Sequence, residues 1–484
     1  MNSKQLGDQV CQPAHDTNQR VSRLGAPITI ASLILGGSAH ADHASVHATA
    51  SGNVAVTDNL FSVSSNGNRE SDVYTQIRPG VLGTWATPRM VQTLAAEAEV
   101  LEYANHSPGN PSLTLRGRWE ALFLPTPRTD LGMGAGASTG KVNSLTSRSS
   151  ADQSTIAITP TGSSELRQAD AQHRLSWQAT KATRTSEQAF VRWAATNDDL
   201  PMPTTTNSVE VGAAVGVDRQ YEKNGIGFEV GGSLLRLERI SPSVQGGQPS
   251  RLDRQLNPHA TASWRHDYSK AWSSQVTAGI VYVNPYGIDP YNPTATDRTA
   301  QPYPVFSATG AYTEVRGGAT LTVGRSVAPN LFIAQNTVNE EAVARLQLPL
   351  HALDSSPRAR DPQWSLLGTI GFDRSQLIDS TTAQVQGSFD VARADIALQW
   401  HPAPSQTYAL RYEFLYQHGD TIGTLVSPTF YRNTVFFVFS FRYPGVLATQ
   451  VPRRTGSVRA DGGDLSPVGA EPVVPDAAAP APSE

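Results

Sequence analysis

From about residue 50 to residue 443 the chain alternates. Leu113, Leu115, Gly117, Trp119, Ala121 and Phe123 fall on one face of their segment, and Thr114, Arg116, Arg118 and Glu120 on the other. Val209, Val211, Ala213, Val215 and Val217 oppose Glu210, Gly212, Gly216 and Asp218. Tyr408, Leu410, Tyr412, Phe414 and Tyr416 oppose Arg411, Glu413 and Gln417. A period of two is the strand period, because successive side chains leave opposite faces. No stretch repeats convincingly with the helical period. The pattern predicts an all-β chain of strands about ten residues long.

The connections sort by length. Those at 87–89, 125–129, 183–187, 222–224, 268–270 and 401–405 are short; those at 59–71, 141–172, 197–207, 239–258, 284–303 and 418–431 are long. Alternation of short and long is the grammar of an up-and-down antiparallel barrel crossing a membrane, with short periplasmic turns and long outside loops. The segments number eighteen, with sixteen to twenty open where 314–362 blurs the pattern. Eighteen requires 382–400 to be one strand. Its apolar face changes there from odd (Val385, Phe389) to even (Ile396, Leu398), which predicts a β-bulge near Val391. If that segment is two strands, residues 331–334 supply the compensating one.

Hydrocarbon offers no water to an open sheet edge, so spanning strands must close on themselves. The last strand, 432–443, presents Val435, Phe437, Phe439, Phe441 and Tyr443 to lipid. Tyr443 belongs at the periplasmic aromatic girdle, and Tyr408 and Tyr416 mark the two rims on the preceding strand. The opposite faces are polar and of mixed sign. Glu97, Glu99, Arg116, Arg118, Glu120, Glu210, Glu229, Arg265, Arg345, Arg393, Asp395, Arg411, Glu413 and Arg442 are the candidate lumen residues, and Phe190, Phe436 and Tyr74 are inward aromatics. Arginine dominates the bases, and its planar fork pairs well with carboxylates. Two uses stay open: a field that selects solutes in an open pore, or mutual satisfaction in a plugged lumen. Eighteen strands enclose a space too wide for wall side chains alone to fill.

Composition narrows the rest. The chain has 484 residues, a formal net charge of -4 and a mean hydropathy of -0.32. No run of 18 apolar residues exists, which excludes a bundle of membrane helices but not a barrel. No basic block invites nucleic acid. Arg20 and Arg23, the apolar run from Ala26 to Gly37 and the small residues Ala39 and Ala41 read as an export signal over 1–41. The barrel then spans 42–443, and a Pro/Ala-rich tail of 444–484 hangs in the periplasm. The 141–172 segment, rich in Ser, Thr and Gln, reads as a long external loop with TIAITP as a small hairpin. The single cysteine, Cys11, lies in the signal. His173, His259, His351, His401 and His418 have no metal-ligand spacing, and the adjacent His266–Asp267 falls at a periplasmic turn. The reading is therefore a non-enzyme without cofactor or metal.

The final strand, with alternating large apolar residues and a terminal aromatic, resembles the signal read by the barrel-assembly machinery. The whole span resembles the porin-like superfamily of Gram-negative outer-membrane β-barrels. The stretches SGNVAVTDNLFSV (51–63) and DVYTQIRPGVLGTW (72–85, with Arg78–Pro79–Gly80) further resemble barrels that accompany exopolysaccharide or PEP-CTERM-type export systems. The resemblance implies an outer-membrane location, contact with lipid and the assembly machinery, and a channel for hydrophilic material. It also implies the outer-membrane step of surface polysaccharide export, with a periplasmic export partner. A general or small-solute porin, and a structural or adhesive barrel with a plugged lumen, remain alternatives.

Overall fold

Each alternating segment becomes a strand in the computed structural model, which describes residues 43–59, 69–105, 111–142, 164–198, 205–240, 250–287, 289–291, 300–314, 317–330, 335–353, 363–378, 385–403, 405–419, 421–422, 425–426 and 429–443. The strands are β1 (His43–Thr57), β2 (Asp72–Thr87), β3 (Met90–Tyr103), β4 (Ser112–Thr126), β5 (Thr129–Val142), β6 (Ser164–Gln178), β7 (Thr183–Asp198), β8 (Thr205–Tyr221), β9 (Asn224–Ile240) and β10 (Arg251–Asp267). They continue as β11 (Trp272–Pro285), β12 (Gln301–Glu314), β13 (Gly317–Asn330), β14 (Gln335–Pro349), β15 (Trp364–Ile378), β16 (Val385–Ala403), β17 (Gln406–Gly419), β18 (Thr421–Ile422), β19 (Leu425–Val426) and β20 (Phe430–Tyr443). β18 and β19 pair only with each other, and the other strands form one 18-stranded antiparallel sheet. The proposed signal and tail lie outside the described residues, as does TIAITP.

The sheet closes. β20 pairs with β17 on one side and with β1 on the other, in register from Thr57↔Thr434 to Ala48↔Tyr443. Closure leaves no edge, so the backbone satisfies itself without water. The eighteen strands of the large sheet run 14 to 19 residues rather than ten; β6 and β10 gain theirs at the long-loop end, β1 and β7 at the short-turn end. β6 begins at Ser164, so residues 164–172 are strand rather than loop. Loop parity fails at one place. The connection after β14, on the short-turn side, spans 350–363 and holds a 3-10 turn (His351–Leu353), while only 331–334 separate β13 from β14 on the long side.

Residues 385–400 belong to a single strand, but not for the expected reason. β16 stays in register with β15 from Trp364↔Trp400 to Leu377↔Gly387, straight past Val391. The irregularity lies at Gln386, between Leu377↔Gly387 and Ile378↔Val385. Phe389 and Val391 are 1% and 4% exposed and face the lumen, where Val391 packs with Leu415 and Phe430. There is no change of face at Val391, because Phe389 and Val391 belong to the inside; the parity changes at Gln386 instead, beyond which Val385 is 52% exposed.

The outer surface is an apolar belt between two rims. Val54, Leu410, Val435, Phe437 and Phe441 lie on it, 40–58% exposed, with Tyr443 at the short-turn end. Phe439 lies over Gly52, where a Cβ would come within 2.7 Å of its ring. Aromatics line the short-turn rim: Trp364 stacks on Trp400 (5.7 Å between centroids), Trp400 contacts Tyr408 (5.6 Å) and Trp272 contacts Tyr312 (4.8 Å). Amphipathic rings are favoured at this height because one end meets hydrocarbon and the other meets water. The far rim on β13–β16 carries an outward charged row, Arg325–Glu340 (3.3 Å) and Arg374–Asp390 (3.6 Å). From Trp364 to Arg374, or from Asp390 to Trp400, is about ten residues, the length a tilted strand needs to cross the hydrocarbon. An exception sits inside the belt. His173 Nε2 lies 3.3 Å from Glu187 Oε1, and both side chains are on the outer face.

Candidate functional site

The lumen is the candidate site, and pairing parity decides what lines it. Residues opposite each other on adjacent strands share a face. The exposed apolar side chains fix the outside, so their sequence neighbours fix the inside. By this rule Glu97, Glu99, Arg116, Arg118, Glu120, Glu210, Glu229, Arg265, Arg345, Arg393, Asp395, Arg411, Glu413 and Arg442 all face the lumen, as do Tyr74, Phe190 and Phe436. Val435, Phe437, Phe439, Phe441 and Tyr443 face out.

The charges form a chain of ion pairs around most of the wall. Glu99, 2% exposed, accepts from Arg78 Nε at 2.7 Å and lies 3.2 Å from Arg116 Nη2; the same guanidinium reaches Glu97 at 3.5 Å. Arg118 Nε donates to Glu120 at 2.7 Å and reaches Asp170 on β6, two strands away, at 4.0 Å. Glycine makes that crossing possible: the inward positions of β5 include Gly132, Gly134 and Gly136, and a Cβ on Gly136 would sit 2.8 Å from Asp170 Oδ1. Arg184 crosses β6 to Asp130 at 2.6 Å. Arg192 lies over the Phe190 ring at 4.5 Å and reaches Glu210 at 3.5 Å. Glu229 accepts from Gln188 at 3.2 Å, with His259 Nε2 at 3.6 Å. Arg393 pairs with Asp373 (3.3 Å), Arg411 with both Asp395 and Glu413, and Arg432 with Glu413 (3.7 Å).

Several members escaped the sequence reading. Asp170 was read as loop because β6 starts earlier than its apolar pattern does. Arg78, Asp130, Arg184, Asp373 and Arg432 obey the same parity, and applying it to the strand ends finds them. The lumen wall of β11–β13 is different: Ser273, Gln275, Thr277, Ser307, Thr309, Thr320 and Thr322 line it without charge, and the Thr309 and Thr322 hydroxyls meet at 3.2 Å. His266 and Asp267 point to opposite faces. His266 joins the rim, 5.8 Å from the Trp264 ring and 4.4 Å from Tyr268, while Arg265 holds Asp267 inside at 3.2 Å.

The two halves of the lumen differ. Near the short turns the wall is open to water: Arg265 and Asp267 are 37% and 36% exposed. Near the long loops it is packed. Leu101, Leu235, Leu237, Gln255, Leu377, Phe389, Gln417 and Phe430 are all buried to less than 2% or thereabouts, and they come from strands all around the barrel. Wall side chains alone do not bury one another across so wide a tube. Part of the filling is the wall itself. Val327, Val338 and Ile378 belong to the outer face of β13, β14 and β15, yet they pack against Val281, Val283 and Tyr303 of the inner face of β11 and β12. Asn336, also on the outer face, donates to Gln255 on the inner face of β10. The outer ends of β13–β15 are therefore folded into the mouth. In contrast, Tyr286, Asp289 and Tyr291 lie on the outside of the rim: Tyr286 N–H donates to Arg254 O (2.9 Å), Leu252 N–H to Asp289 (3.3 Å) and Tyr291 hydroxyl to Glu238 (3.4 Å).

No family model and no curated protein sequence matches the chain. Solved structures similar in outline include the siderophore receptor PirA from Pseudomonas aeruginosa (8% identity, 82% of this chain and 80% of that one, TM-score 0.40). The ferric citrate transporter FecA (10%, 82% and 78%, 0.43) and Pseudomonas aeruginosa OprD (8%, 83% and 95%, 0.38) are others. None of these likenesses is close enough to carry a role across. The chain's own geometry gives the architecture: a closed eighteen-strand barrel with an apolar belt, aromatic rim and polar interior is built as a membrane-spanning β-barrel of the outer-membrane type.

Proposed function

We propose that the protein is an outer-membrane conduit for hydrophilic material, held closed at its outer mouth in this state. The observation that carries the reading is the open, charge-lined inner half of the lumen beneath a packed outer half. Guanidinium–carboxylate pairs around β16–β20 and β2–β10 set a transverse field, and the uncharged hydroxyl wall of β11–β13 faces it. Solute passing between them exchanges water for fixed hydrogen-bonding groups, which biases passage by charge and shape. The test is single-channel recording of the purified protein in planar bilayers. Conductance steps are expected, and Arg118→Gln with Arg265→Gln is expected to shift ion selectivity toward cations. A barrel that never conducts, in any variant, removes the reading.

Surface polysaccharide is the cargo we propose within that reading, with a periplasmic export partner below the short turns. It is supported by the resemblance of residues 51–63 and 72–85 to export-associated barrels. Deletion of the gene is expected to abolish surface polymer; unaltered polymer would leave the small-solute porin. A second reading, a structural or adhesive barrel, is favoured by the packed mouth. It predicts silence in bilayers together with loss of surface binding when the outer rim is trimmed.

A further inference from the structure

We infer that the outer ends of β13, β14 and β15 form a hinged flap that shuts the mouth, and that three prolines in the sequence set the hinge line. The inference rests on the conduit reading for its purpose, but not for its geometry. β12 and β13 pair from Glu314↔Gly317 to Phe306↔Arg325 and then part, although β12 continues to Gln301 on β11 and β13 continues to Asn330 on β14. Continued across the gap, the register would set Pro304 opposite Val327 and Pro302 opposite Pro329.

Thr313 donates its N–H to Ala271 O, toward β11, at 2.9 Å. Backbone groups alternate sides along a strand, so odd residues of β12 serve β11 and even residues serve β13. Pro302 and Pro304 are even, and their missing donors are on the β13 side. The parity of the pair Phe306↔Arg325 makes Val327 and Pro329 the residues of β13 that face β12. Both missing pairs are therefore ones that would exchange hydrogen bonds. Of the four N–H groups they need, those of Pro302, Pro304, Val327 and Pro329, only Val327 supplies one.

The seam is thus unable to zip like its neighbours, and what it releases stays whole. β13 remains paired with β14 to Asn330↔Gln335, and β14 with β15 to Asn336↔Ile378. The outward row Arg325, Glu340 and Arg374 marks the upper limit of the hydrocarbon, so the strand ends above it are free of lipid. Folded inward, their outer face buries Val338 and Ile378 and part of Val327. The same packing buries Asn336 Oδ1 without a hydrogen-bond partner among the described residues. Apolar contact favours the shut state and the unsatisfied Asn336 oxygen opposes it, which is the balance a two-state element requires.

The test uses the full chain in a Cys11→Ser background, with Gln255→Cys and Asn336→Cys joined by a short thiol crosslinker in outer-membrane vesicles. The bridge is expected to form, and to suppress channel opening in bilayers. A second variant, Pro302→Thr, Pro304→Thr and Pro329→Thr, restores the seam donors. It is expected to weaken crosslinking and raise open occupancy about tenfold, the population shift of one or two net hydrogen bonds. Retained heat-modifiable gel mobility establishes that each variant is folded. Failure of the bridge to form in the folded parent, or crosslinking unchanged by the threonine variant, overturns the flap. A threonine variant that loses the bridge while no barrel conducts upholds the hinge and removes the conduit.

Discussion

Placing an arginine at Phe437 tests the belt on which the assignment stands. Phe437 is 51% exposed on the outer face, flanked by Val54 on β1 and Leu410 on β17, both also exposed. It lies six positions above Tyr443 on β20. At roughly 3.3 Å per residue and a tilt near 40°, that is about 15 Å above the rim, close to the middle of an apolar band about 25 Å tall. An arginine at that depth costs about 2–4 kcal/mol, and one near the interface about 0–1 kcal/mol. Phe437→Arg is therefore expected to lower unfolding free energy by about 3 kcal/mol, a factor on the order of 100 in the equilibrium. Tyr443→Arg, at the rim, is expected to cost at most about 1 kcal/mol. Ser440→Arg, three residues away on the lumen face opposite Ser51 and Thr407, is expected to cost little. The assay is urea unfolding in lipid vesicles, followed by tryptophan fluorescence. Equal costs at the three positions would refute the depth and facing argued here, and a chain that stays folded in solution without detergent or lipid would refute the belt altogether.

Other outcomes follow from the interior and from the exception on the belt. Glu99→Gln leaves Arg78 and Arg116 around an uncharged amide in a buried position and is expected to destabilise by about 3 kcal/mol, whereas the same change at Glu165, in its exposed pair with Arg167 near the long-loop end of β6, costs less than about 1 kcal/mol; the two unfolding midpoints compare them directly. Gly136→Val puts atoms into the path of Arg118 toward Asp170 and is expected to cost about 1–3 kcal/mol by overpacking, with a measurable change in channel selectivity. Replacing His173 and Glu187 together by Leu removes two polar groups from the lipid face and is expected to stabilise the barrel by about 1–2 kcal/mol in vesicles; loss of an SDS-resistant oligomer in its place would show that the pair serves a protein contact.

Alternation carried most of the architecture. Which residues share a face follows from the period of two alone, and the number of such segments, with the sorting of their connections, yields eighteen strands and both rims. The lumen residues from Glu97 to Arg442 were legible on the same ground, because a polar side chain opposite an apolar face has one place to go. The limits of that reading are particular. At 385–391 the pattern offers apolar residues and no way to choose between lipid and lumen, since Phe389 is equally apolar in either; contact with a neighbour distant in sequence decides it. Asp170 was hidden because its outward neighbours are only the small Ala169 and Ala171, set among Arg167, Gln168 and Gln172, which give the period little hydrophobic contrast.

The sequence by itself determined a closed, lipid-belted barrel: hydrocarbon forbids open edges, and only one closure satisfies the alternating faces. It also holds the three prolines that leave the parted end of the β12–β13 seam one donor of four. The tertiary structure alone decided what the freed strand ends do. Their burial against the inner wall of β10–β12 depends on side chains brought together from strands far apart in the chain, and a local periodicity carries no information about such distances.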